Sequence, residues 1–387
     1  MMTVASVIRK TPVSTLHSYF DARHIDLGGL VNWQDHRTPT SQRLLKAVES
    51  LKSDDYAVVA MDFERIEEMT DEVGQSSIAG VIHDGSKLQS FANGHDRAMW
   101  LYLNDERTFR RAEEVRFAAR NRLGQKWAGY IGPKEVDVRD DEECRQEFVT
   151  RICDMFQSQN AQVEVYQRQQ ICSDQSAPLI TQVVVYREGM PDGVWAFENG
   201  VLKMQSRRPV LEAVLTYDPM SGVIEVAGLD SKNRPRLYRT FSEIMLGQRM
   251  IGLRVPLRQY DLSSLVAPRT FPTDRKDGIA SVLVLAVKVH MSNYPGVWFM
   301  LGQREDSDIG LYEFSKGPEH RVLSQKGIEI VQAYLAIRFR PNQENRRGQV
   351  IRVSISLPNG CDLKGRTKRE RLVCEKYLPL WGLVKEV

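Results

Sequence analysis

The strongest constraint on how this chain folds is a change in the period of its apolar residues around the polar stretch Gln157–Gln162. Before that stretch they recur at intervals of three and four, and after it they alternate. A chain written in two periods is neither a plain helix bundle nor a plain barrel. The sequence therefore predicts an α+β protein. A helix-rich domain over 1–160 precedes a larger antiparallel β-rich domain over 161–387, which closes with a C-terminal helix. A length of 387 residues exceeds the usual size of one hydrophobic core and agrees with two domains.

In the first part, Thr11 before Pro12 marks a helix start, and Leu44, Leu45, Val48 and Leu51 repeat at helical spacing. The run Tyr56–Met61 reads as a strand, followed by a helix that Asp62 caps. The clearest helix begins near Asp105, with Phe109, Ala112, Val115 and Ala119 on one stripe and dense charge on its other face. Another begins near Asp140. In the second part, Asn199-Gly200 supplies the positive φ angles of a tight hairpin between Val194–Phe197 and Val201–Met204. Further strands are expected over Val183–Tyr186, on both sides of Asp218–Gly222, and over Ser281–His290, Val297–Leu301, Ile328–Phe339 and Val350–Leu357. Thr367 and Glu370 form a capping box for a last helix that stops near Pro379.

Composition removes several function classes. The longest apolar run, Ile279–Val287, is far short of the ~18 residues of a membrane span. Arg9 and Lys10 follow the weakly apolar start instead of preceding a long hydrophobic stretch, so no export signal is expected. Five widely separated cysteines without a Cys-x-x-Cys pair fit ordinary thiols in a reducing cytosol, and the expected location is cytoplasmic with no metal site. No phosphate-binding glycine loop, dinucleotide fingerprint, serine elbow, kinase set or zinc-deaminase motif is present. His95 and Asp96 beside Arg97 are a weak acid/base candidate, and the acidic cluster Asp137 to Glu143 suits a helix start.

Charge gives the sharper expectation. Residues 1–160 hold 21 Lys and Arg against 26 Asp and Glu, whereas residues 321–387 hold 14 against 6. Arg338 and Arg340 alternate along one strand, Arg346 and Arg347 fall in a turn, Arg352 is on the returning strand, and Lys364, Arg366, Lys368, Arg369 and Arg371 lead into the last helix. Guanidinium forks and a helix start are suited to phosphate oxygens. The expected function is a non-enzymatic binding protein that engages nucleic acid or another polyanion through Arg346, Arg347, Lys364, Arg366, Lys368 and Arg369, within a larger assembly. An acidic protein partner, a second copy of the chain included, would also suit this charge.

Two alternatives stand beside that expectation. Asp62 and Glu64, placed after a strand, suit a magnesium-dependent hydrolase of nucleic acid or nucleotides. A pure protein-protein assembly subunit is the other.

Overall fold

Helices form in the N-terminal part along apolar stripes, and several of them begin at a capping side chain. The computed structural model describes residues 2–31, 33, 40–82, 85–122, 124–170, 178–256, 259–291, 296–302, 309–314, 323, 327–341, 349–365 and 368–385. The helices are α1 (Met2–Lys10), α2 (Val13–Ala22), α3 (Ser41–Glu49), α4 (Ser53–Glu68), α5 (Glu72–Val81), α6 (Gly94–Asn104) and α7 (Glu106–Asn121). Thr40 caps α3 by accepting from the Arg43 amide at 3.3 Å, and Asp105 caps α7 by accepting from Thr108 at 3.0 Å. Their stripes meet in a core that includes Leu16, Tyr19, Phe20, Phe63, Ile66, Met99 and Phe109.

The expected strand Tyr56–Met61 is not formed, because those residues belong to α4. Asp54 and Asp55 occupy its first turn, where the helix dipole favours negative charge, and Val59, Phe63 and Ile66 reach the core at helical spacing. A six-residue apolar run does not by itself distinguish a buried strand from a helix segment.

Two compact units are found, Met1–Val255 and Pro256–Val387. The stretch 157–162 lies within the first. There Gln157, at a φ of 52°, ends α8 (Glu142–Phe156), and β2 (Ala161–Gln169) begins four residues later. The other strands of this unit are β1 (Trp127–Ile131), β3 (Leu179–Glu188), β4 (Asp192–Glu198), β5 (Val201–Arg207), β6 (Val210–Asp218) and β7 (Val223–Ala227). They form an antiparallel sheet in the order β1-β7-β6-β3-β2, while β4 and β5 pair only with each other among the described residues.

Both faces of the five-stranded sheet are covered. Val183, Val185, Leu215, Tyr217 and Val226 pack with Phe148 of α8 and with Leu237 and Phe241 of α9 (Arg234–Ile244). Val184, Val214 and Tyr166 point the other way, onto Val115, Phe117 and Ala118 of α7. Double coverage explains why β3 and β6 read as nearly continuous apolar runs.

The second unit holds β8 (Ile279–Met291), β9 (Trp298–Gly302), α10 (Leu311–Phe314), β10 (Ile328–Phe339), β11 (Val350–Ser356), β12 (Gly360–Cys361) and α11 (Lys368–Leu380). Its antiparallel sheet runs β12-β11-β10-β8-β9. Ile351, Val353, Ile355, Leu335, Ile337 and Val287 form the inner face, and Cys374, Tyr377, Leu378 and Trp381 of the α11 end pack against it. Thr367 of the expected capping box lies outside the described residues, and Pro379 falls in the last turn of α11. Among the described residues no helix is long and apolar enough to cross a membrane.

Candidate polyanion interface

Asp62 sits in the middle of α4 and is buried. Its carboxylate accepts from the Tyr19 hydroxyl at 2.8 Å, the Tyr102 hydroxyl at 2.5 Å and Arg23 Nε at 2.8 Å. Burial and the adjacent Asp62 raise the pKa of Tyr19, and Tyr102 is pushed up to about 12 by burial and its bond to Asp62. The Arg23 and Arg65 guanidiniums lie over the Tyr102 ring. These contacts tie α2, α4 and α6 together. Glu64 is exposed, and two residues along a helix is a turn of about 200°. Asp62 and Glu64 therefore do not converge on one ion. Among the described residues, no group of three His, Cys, Asp or Glu side chains is placed to hold a metal.

His95 contacts Glu67 at 2.9 Å, and Glu67 also accepts from Ser6 at 2.8 Å. Asp96 accepts from Thr15 at 2.6 Å. The pair joins α6 to α4, and Asp96 joins α6 to α2.

The basic C-terminal residues divide in placement. Arg346, Arg347 and Arg366 lie outside the described residues, and Lys364, Lys368 and Arg369 are described in backbone alone. Lys376 of α11 already meets a carboxylate: it bonds to Asp277, which also accepts from Tyr377, and these two bonds hold the Asp277 pKa low. The apolar side of α11 seals the inner face of the sheet, whereas Arg338 and Arg352 project from the outer face. The strand arginines and the helix thus act on different sides of the sheet.

That outer face can be read row by row from the strand register. Trp298, His290 and Glu329 form one row across β9, β8 and β10. Met300, Lys288, Gln332 and Ser356 form the next, followed by Gly302, Ala286, Tyr334 and Ser354. Leu283, Ala336 and Arg352 come after, and then Ser281, Arg338 and Val350. Strand partners share a face because side chains alternate along each strand. The Gln332 amide donates to Ser354 Oγ at 3.0 Å, as two residues on one face should. Lys288 Nζ stands 3.9 Å from the centroid of the Trp298 ring, while that side chain stays 57% exposed.

One face therefore brings together two aromatic rings, Trp298 and Tyr334, with the cations Lys288, Arg338 and Arg352 and the carboxylate Glu329. Small residues, Ala286, Ala336 and Gly302, lie between them. Flat rings interleaved with cations are what a single strand of nucleic acid requires, since each base has a π face and each linkage a phosphate. No family model matches this chain, and no curated protein matches it.

Counting charge along the last stretch located Arg338 and Arg352 and missed Trp298, Lys288 and Tyr334, which lie on earlier strands or carry no charge. The missing signal was two-residue alternation carried across strands, in which Lys288-His290, Trp298-Met300 and Gln332-Tyr334 all belong to the outward set.

Proposed function

We propose that this is a non-enzymatic binding protein whose second unit engages single-stranded nucleic acid on the outer face of its sheet. The observation that carries the reading is the shared face of Trp298, Lys288, Tyr334, Arg338 and Arg352. Stacking on the rings would supply sequence-tolerant affinity, and the cations would meet the phosphates between the stacked bases.

Fluorescence anisotropy of a labelled oligothymidylate tests this. Trp298→Ala and Tyr334→Ala should each weaken binding by roughly 5- to 150-fold, the range of ~1–3 kcal/mol per stacked base. Absence of binding by the unaltered protein to both single-stranded DNA and RNA at low salt would remove the proposal. Equal affinity of the Trp298→Ala and unaltered proteins would remove the face.

A further inference from the structure

Among the described residues, nothing covers the apolar face of the ribbon of β4 and β5. Its register pairs Trp195 with Met204 and Phe197 with Leu202, so these four side chains point to one side. They are 62%, 55%, 75% and 52% exposed, respectively. The opposite side carries Val194, Ala196 and Val201 beside Gln205 and four charged residues, and those charges pair internally. Arg207 binds Asp192 at 3.0 Å and Lys203 binds Glu198 at 3.1 Å. An isolated two-stranded ribbon is marginally stable in water, and a patch of this kind on a folded protein marks a contact surface.

We infer that a second copy of this chain covers the face, ribbon against ribbon, in a two-fold symmetric dimer. Charge favours this occupant. Both ion pairs close within the ribbon on its far side, so the apolar face offers nothing to an acidic or basic partner and meets no repulsion from its own copy. The tip argues against a lipid surface, because Glu198 and Asn199 would enter the bilayer first. Shape agrees as well: a two-fold axis along the ribbon lays the aromatic column Trp195-Phe197 of one copy on the aliphatic column Met204-Leu202 of the other. The exposed area of the four side chains is roughly 450 Å² per copy, so a pair would bury about 900 Å², close to the ~1,000 Å² at which specific interfaces begin. An interface of this size makes the dimer weak and concentration-dependent.

Sedimentation of the full chain across the micromolar range tests the inference. The unaltered protein should pass from the 44.3 kDa chain mass to twice that value as concentration rises. Trp195→Thr with Phe197→Thr should weaken association at least ~100-fold, since buried aromatics are the usual hot spots of an interface. Both positions are exposed, and unchanged circular dichroism and thermal midpoint would show that the variant folds. Lys203→Gln with Arg207→Gln, on the far side, should leave the dimer intact. Three outcomes overturn the inference: a monomer at every concentration, a dimer that survives the double threonine variant, or a monomer that floats with neutral phosphatidylcholine vesicles.

Discussion

Replacing Asp62 by alanine tests whether its carboxylate is a structural hub. Three donors converge on it, from Tyr19, Tyr102 and Arg23. The Arg23 side chain is 38% exposed and can return to water, so its loss is the smallest part. The Tyr19 and Tyr102 hydroxyls are enclosed and cannot. Leaving a buried hydroxyl without an acceptor costs about 1–3 kcal/mol, and bonds to a charged acceptor are at the stronger end of the range. Two such hydroxyls with the lost arginine bond give about 4 kcal/mol for Asp62→Ala, against about 1–2 kcal/mol for Asp62→Asn, which keeps an acceptor. Urea denaturation of the full chain, followed by far-ultraviolet circular dichroism, measures both, with the loss confined to the transition of the first unit. An Asp62→Ala protein within ~1 kcal/mol of the unaltered one would refute the hub. Magnesium-dependent hydrolysis lost in that variant would instead make Asp62 a ligand.

Alkaline pH should destabilise the first unit. The tyrosines Tyr19, Tyr102, Tyr166 and Tyr186 all have folded-state pKa values above the ordinary one, with burial as the largest cause. The unfolded chain then loses protons first, so stability is full below pH ~10 and falls as pH rises further; a pH series of urea midpoints that stays level from pH ~9 to ~11 would contradict this. Glu114 is buried between α7 and the sheet, where it accepts from Tyr166 at 2.7 Å and from Tyr186. Glu114→Ala should cost about 3 kcal/mol and Glu114→Gln less than half as much in the same assay. Gly200, with a φ of 78° and no neighbour near its missing Cβ, should tolerate alanine at a local cost of about 1 kcal/mol. Hydrogen exchange would then quicken in β4 and β5 and stay unchanged elsewhere.

The sequence was most legible where period and punctuation agree. Asn199 and Gly200 have φ angles of 53° and 78° and close the β4-β5 hairpin at the expected residues. Ile328–Phe339 is reproduced to the residue as β10, and Asp105 and Asp141 cap α7 and α8. Misreading began where a local pattern has two solutions. Tyr56–Met61 is apolar enough for a strand, and only the position of Phe63 and Ile66 against the helical core decides for α4. The charge on the other side of α7 said nothing of what it meets: Arg116 is buried between Glu68 at 2.7 Å and Asp71 at 3.0 Å, and Glu114 meets the sheet. That helix packs on two sides, so polarity marks an ion-paired interface there. The outer face of the second sheet was hidden for a related reason, because its residues come from four strands and only register assembles them.

The salt dependence of oligothymidylate binding probes the proposed interface most directly. Three cations on the face, Lys288, Arg338 and Arg352, should give a slope near −2 in a plot of log affinity against log salt, from about −0.7 per phosphate contact on a single strand. Lys288→Gln with Arg352→Gln should flatten it to about −0.7 while Trp298 and Tyr334 still stack. Affinity that does not change with salt, or a slope that the two substitutions leave untouched, would contradict binding on this face.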